Sequence, residues 1–159
     1  MPQERLGGGR TVAINKLDDF WRRSGGSQTE HGCYVFCMTK GKSVVPWYVG
    51  KTAKRDFKGE CFTTDKLNKY NRVLLKKPKS RPVLYFVRRP THKGKRNQKQ
   101  IARLETWLIA QGKSANRDLV NKQNIPRDTW GISGVIRGGP GKPSAAAASF
   151  RRALDIATR

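Results

Sequence analysis

Two dense apolar stretches, residues 32–39 (GCYVFCMT) and 44–50 (VVPWYVG), flank the turn signal Lys40-Gly41-Lys42 and predict a β-hairpin. Pro46 asks the second strand to be an edge or to hold a bulge. Residues 81–88 (RPVLYFVR) predict a third strand, whose near-continuous apolar run implies burial on both faces. Helical spacing appears in four places. Leu17, Phe20 and Trp21 share a face of a short helix over 15–23, with Asn15 as its cap. Residues 56–75 hold a helix that ends before Pro78. The strongest helix covers 97–111 (NQKQIARLETWLIAQ), and Gly112 is expected to close it. Residues 130–136 read as a short late strand or extended segment. A glycine- and proline-rich stretch over 138–143 then leads to a terminal helix started by Ser144, with Phe150, Leu154 and Ala157 as its apolar set. The order is helix, hairpin, helix, strand, helix. It predicts one compact α/β (α+β) domain on a small three-stranded mixed or antiparallel sheet flanked by helices. Residues 1–14, with their glycine triplet, are expected to be a flexible lead. Residues 15–136 form the domain, and 137–159 a linker and C-terminal helix.

Charge changes the picture most. The 159 residues hold 34 Lys and Arg against 11 Asp and Glu, a net charge of +23. Self-repulsion of that size is costly unless a polyanion is part of the working state. The cations also cluster, first at Arg72, Lys76, Lys77, Lys79 and Arg81, then at Arg88, Arg89, Lys93, Lys95, Arg96 and Lys99. Nucleic acid is the expected partner, held by backbone phosphates. An anionic membrane is the weaker reading, because no basic helix with a broad apolar face is evident and no apolar run is long enough to cross a bilayer. Association with ribosomes would satisfy the charge equally well.

Cysteine usage adds little. Cys33, Cys37 and Cys61 are odd in number, without a secretory signal or a second pair to complete a zinc site. They read as buried free thiols of a cytoplasmic protein. Trp47, Trp107 and Trp130 read as core or rim anchors, and His92 as surface.

Glu105 is the most informative residue. At about 100° per residue it falls about 40° from both Ile101 and Ile109, inside the apolar stripe. A carboxylate there needs either a buried Lys or Arg or a metal ion. No paired-carboxylate motif accompanies it, so a metal would have few protein ligands, with water and phosphate oxygens completing its shell, which magnesium tolerates.

Gly32-Cys33-Tyr34 and Tyr48-Val49-Gly50, on the two strands of the hairpin, resemble the GIY and YIG halves of the GIY-YIG nuclease signature. Lys51-Thr52 follows, then a helix containing Phe57, then Glu105 on a helix, and then Asn121 within Leu119-Val120-Asn121-Lys122-Gln123. The resemblance covers residues 32–124. It implies a three-stranded sheet flanked by helices and hydrolysis of a phosphodiester, most readily in DNA, with one Mg2+ or Mn2+ ion and no small-molecule cofactor. Carried over by position, Tyr34 would deprotonate or orient the attacking water and Tyr48 would position it and the phosphate. Glu105 would hold the metal, Asn121 would brace the site, and Gly32 and Gly50 would serve the backbone. Nearby metal and cations are expected to favour a tyrosinate. The chain departs from the family at Glu60, which stands where an arginine is expected. Lys58 is the proposed replacement, with Arg55 and Lys51 as alternatives. Lys51, Arg55, Lys66, Lys69, Lys76, Lys77, Arg88, Arg89, Lys93, Lys95 and Arg96 are the expected nucleic-acid contacts. A second reading is a basic binding protein that keeps this fold and has weak or no turnover.

Overall fold

In a computed structural model the described residues are 3–5, 11–24, 29–88, 97–122, 132, 135 and 142–156. They form β1 (Gln3–Arg5), β2 (Thr11–Ala13), α1 (Ile14–Arg23), β3 (Gly32–Lys40), β4 (Ser43–Lys51), α2 (Phe57–Cys61), α3 (Thr64–Lys76), β5 (Pro82–Arg88), α4 (Gln98–Ala115) and α5 (Ala145–Ala153). The main sheet is antiparallel throughout, in the order β4-β3-β5, and the fold is α+β.

Strand β3 is central, and its alternation builds two cores. Cys33, Val35 and Cys37 pack with Ile101, Leu104, Trp107 and Leu108 of α4 and Phe150 of α5. Tyr34, Phe36 and Met38 pack with Trp21 of α1, Phe57 and Cys61 of α2, and Tyr70, Val73 and Leu74 of α3. Successive side chains of a strand point to opposite faces, so helices are needed on both. Aromatic contacts knit the second core, with Phe36 stacked on Tyr70 at 4.3 Å. All three cysteines are free and buried.

The hairpin turns on Gly41, whose φ of 59° is left-handed, and Lys40 pairs with Ser43 across it. Pairing then runs Cys37↔Pro46 and Phe36↔Tyr48, which leaves Trp47 as the extra residue of a bulge. Pro46 has no N–H to give a ladder, and the chain meets that by placing it both beside a bulge and on an edge strand. The bulge also lets consecutive residues Trp47 and Tyr48 enter the same core. The outer edge of β4 is covered by the segment after α4. Asn116 Nδ2 donates to the Pro46 carbonyl at 2.7 Å, and the Val120 N–H donates to the Trp47 carbonyl at 2.8 Å. Such cover suppresses edge-to-edge pairing with another chain.

Several expectations need correction. Strand β5 is not buried on both faces; it is the second edge, and its five inner residues are only half-buried. Its apolar run is used instead by two thin flanks, one from Phe20 and Phe57, the other from Phe150. The expected helix over 56–75 is two helices, α2 and α3, each with its own N-cap at Asp56 and Thr63. Gly112 does not close α4, which continues to Ala115. A Cβ there would lie 3.2 Å from both methyls of Leu119, so this glycine makes room for packing. Helix α1 begins at Ile14, one residue before its expected Asn15 cap, and residues 3–5 and 11–13 of the expected lead pair as an antiparallel ribbon. Ser144 does cap α5, accepting from the Ala147 N–H at 3.1 Å. Trp130 and residues 137–141 lie outside the described residues, and of 130–136 only Ile132 and Val135 lie within them.

Gly32 is fixed by close approach. Its φ is 155°, and a Cβ would fall 2.1 Å from the Val87 carbonyl oxygen. Gly32→Ala should therefore destabilise the fold by about 3 kcal/mol or more, through backbone strain plus a clash with backbone that cannot yield. Urea denaturation measures it, and a loss below about 1 kcal/mol would contradict this packing.

Candidate functional site

The end of β4 is assembled by hydrogen bonds from three directions. Asn121 pairs with Val49 as a strand residue would: its Oδ1 accepts from the Val49 N–H at 2.8 Å, and its Nδ2 donates to the Val49 carbonyl at 2.8 Å. One step further along, Thr52 is fully buried and ties the strand end to Gly32. Its N–H donates to the Gly32 carbonyl at 2.9 Å, and its hydroxyl accepts from the Gly32 N–H at 3.0 Å. Between these two clamps lie Gly50 and Lys51. The third direction is from within: Tyr34 pairs across the ladder with Gly50, and a Cβ on Gly50 would fall 2.4 Å from the Tyr34 hydroxyl. Gly50 is thus glycine because the phenol occupies the space above it.

The acid sits on the other face. Glu105 Oε2 accepts from Lys51 Nζ at 2.5 Å, with the two side chains 12% and 34% exposed. Lys51 pairs across the ladder with Cys33, and the charges of Glu105 and Lys51 both reach the Cys33 thiol, which burial foremost pushes up. The phenol of Tyr34 and the carboxylate of Glu105 therefore approach from opposite faces of the sheet. The strand lies between them, with Gly50 leaving the Tyr34 face open to the phenol. Of the two partners the sequence allows for Glu105, a lysine holds it in this state.

Tyr34 departs from its expected chemistry. Cations were expected to favour its anion, but burial foremost, then Tyr70, Tyr48, Cys61 and Glu60, drive its pKa far up. Its hydroxyl approaches Tyr70 but makes no hydrogen bond of ordinary geometry among the described residues. Tyr70 donates instead to the Cys61 carbonyl at 3.0 Å. The cations gather on Tyr48, whose ring lies 6.4 Å from that of Tyr34. Lys69 Nζ is 5.2 Å and Lys66 Nζ 5.6 Å from the centre of the Tyr48 ring, and Lys66 is within hydrogen-bonding reach of its hydroxyl.

Glu60 does face the tyrosines, since its charge acts on Tyr34, Tyr70 and Cys61. Lys58, exposed on the same short helix, is about 200° around the axis from it, so it does not take over that position. Arg55 is exposed, and its stem lies over Gly59. Lys76 and Lys77 are exposed at the far end of α3, where Lys77 lies 5.7 Å from the Trp47 ring. That end holds a separate cleft lined by Met38, Lys40, Trp47, Lys77 and Asn116. Arg88 shares the Gly32 end of the sheet but is on the opposite edge, paired with Glu30 at 3.2 Å. Arg89, Lys93, Lys95 and Arg96 lie outside the described residues. The structure thus gathers Tyr34, Tyr48, Lys66 and Lys69 on one face of the sheet and Lys51 and Glu105 on the other, at the strand end that holds Gly50 and that Asn121 braces. Sequence reasoning assigned no role to Thr52 and Asp65; a threonine two residues after Gly50, just past the end of the strand, was the available signal for the first.

Among the described residues no three His, Cys, Asp or Glu side chains gather as a metal cage. Glu105 would be a lone carboxylate ligand, a donor set that suits an ion keeping several waters and substrate phosphates, once Lys51 has moved aside. Among the described residues no helix is long and apolar enough to cross a membrane. Comparison of the chain with protein-family models, with curated proteins and with solved structures gives no match.

The buried tyrosines and thiols set an alkaline limit. Cys33, Cys37, Cys61, Tyr34 and Tyr70 all have folded pKa values raised by burial above their ordinary ones. A raised pKa means the folded chain keeps protons that the unfolded chain releases, so stability is complete at lower pH and is lost as pH rises. Urea denaturation should show a decline beginning at about pH 9, as unfolded thiols ionise, and steepening past about pH 10 with the phenols. Tyr34→Phe should flatten the second part and change stability at neutral pH by less than about 1 kcal/mol.

Proposed function

We propose that this chain binds nucleic-acid backbones and hydrolyses a phosphodiester, most readily in DNA, at the end of β4, in the manner of the GIY-YIG nucleases that its motifs resemble. The observation that carries this reading is the end of β4, where Asn121 and Thr52 clamp the backbone around Gly50 with the Tyr34 ring against it; Glu105 is neutralised by Lys51 in this state and would have to exchange that partner for a metal. The three-stranded antiparallel sheet flanked by helices is the architecture the resemblance implies, which supports the reading.

Each residue then has a definite task. Glu105 would hold a Mg2+ or Mn2+ ion, which when bound supplies positive charge to the leaving oxygen. Lys51, released from Glu105, is one residue from Gly50 and can turn its ammonium to the same phosphate, in place of the arginine that Glu60 replaces. Tyr48, with two ammoniums at its ring, is the phenol suited to orient the attacking water; Tyr34 supports the backbone of Gly50 from below. Asn121 fixes the strand edge so that these groups keep their spacing, which phosphoryl transfer needs above all.

A specific observation favours a second reading, binding without turnover. Glu60 directs negative charge at the tyrosine cluster, where a developing pentacovalent phosphate would be repelled.

Nicking of supercoiled plasmid in Mn2+ separates the two. Under the first reading the wild type nicks, EDTA stops it, and Glu105→Gln lowers the rate by on the order of a hundredfold with DNA binding retained. Retardation of the plasmid with no nicking at any metal concentration would leave the second reading. Lys51→Met should bind Mn2+ roughly tenfold more tightly in the absence of DNA, because it removes the competing cation, yet cleave more slowly. Electron paramagnetic resonance of free Mn2+ reads the first effect.

A further inference from the structure

Lys66 and Lys69 are arranged unlike the other lysines near the sheet. They are one turn apart on α3, their side chains are only 18% and 31% exposed, and both ammoniums converge on one oxygen, Oδ2 of Asp65, at 3.3 and 2.7 Å. Asp65 itself is 63% exposed. The Tyr48 ring backs both cations. Two half-desolvated ammoniums are thus held in fixed positions around a single anionic oxygen, with one positive charge in excess. A backbone phosphate presents the same feature, an anionic oxygen able to accept from two N–H donors, with a second oxygen available beside it. The lysines have already lost much of their side-chain freedom against Tyr48, so contact with a ligand costs less ordering than at an exposed lysine.

We propose that Lys66, Lys69 and Tyr48 form a built subsite for one nucleic-acid phosphate, and that the Asp65 carboxylate occupies it in the free protein. The proposal rests on the nucleic-acid reading above and deepens it. The subsite lies on the aromatic face of β4, across the strand from Lys51 and Glu105. Burial works against the Lys66 ammonium, but Tyr48 and Asp65 outweigh it, so the lysine keeps its charge. Asp65 also lies in the first turn of α3, where Thr63 makes no side-chain cap, and an acid there suits the helix dipole. Its two roles give opposite signs: removing its charge should weaken the fold slightly and strengthen binding.

The test is fluorescence anisotropy with a labelled blunt duplex DNA in EDTA over a salt series, with thermal melting of each variant. Asp65→Asn should bind about fivefold more tightly while melting no higher than wild type. Asp155→Asn, which makes the same charge change at an exposed residue beyond α5, should stay within about twofold of wild type. Lys66→Gln with Lys69→Gln should bind about tenfold more weakly, and the slope of log affinity against log salt should become shallower by about one, the value for one phosphate. An Asp65→Asn affinity no higher than that of Asp155→Asn, or an unchanged salt slope in the lysine double variant, overturns the subsite while leaving nucleic-acid binding intact. Absence of DNA binding by the wild type overturns the functional reading itself, and the subsite with it.

Discussion

Strand β3 has no face to spare. Its residues 33–38 are buried between helices on both sides, so each neighbour in the ladder is committed to one core or the other. That constraint divides the candidate site. Tyr34 and Tyr48 belong to the aromatic core under α1, α2 and α3, whereas Lys51 and Glu105 belong to the aliphatic side under α4. A substrate could reach both sets only beyond an edge, and β4 supplies one that is closed along Pro46–Val49 by residues 116–121 and free of side-chain obstruction at Gly50.

Electrostatic work falls on very few acids. With 11 carboxylates against 34 cations, five of those among the described residues have specific partners. Asp56 caps α2 through the Gly59 N–H, Glu30 holds Arg88, Asp19 holds Arg22, and Glu105 and Asp65 each hold lysines near the strand end. Two of these, Glu105 and Asp65, sit where a bound polyanion would compete for their cations. Of the remainder, Glu30 and Asp19 tie down arginines.

Much of the architecture was legible. The hairpin, its turn, the edge or bulge that Pro46 asks for, the Ser144 cap and the position of Glu105 inside an apolar stripe all follow from local chemistry, which depends on neighbours close in sequence. What failed depended on neighbours far away. The apolar run of β5 does not say how thick the layers over it are, so partial cover on its two faces was read as full burial. Gly112 looks like a stop signal until Leu119 is seen to pack on it. The surroundings of Tyr34 were not legible because sequence supplies the number of cations but not their placement, and Lys66 and Lys69 lie around Tyr48. That Lys51 would be the partner of Glu105 was hidden because 54 residues separate them.

The extra residue at Trp47 has a further consequence. Before it, Val44 packs toward α4 and Val45 toward the aromatic side; after it, Tyr48 and Val49 take those directions with odd and even numbers exchanged. The bulge is a phase shifter in the strand. Pairing Trp47 regularly with Phe36, with the turn kept as it is, would send the phenol toward the helix that carries the acid and the lysine toward the aromatic layer. The identity of every residue downstream could be preserved and the chemistry still be inverted, so the irregularity of this arm is under as much constraint as its composition.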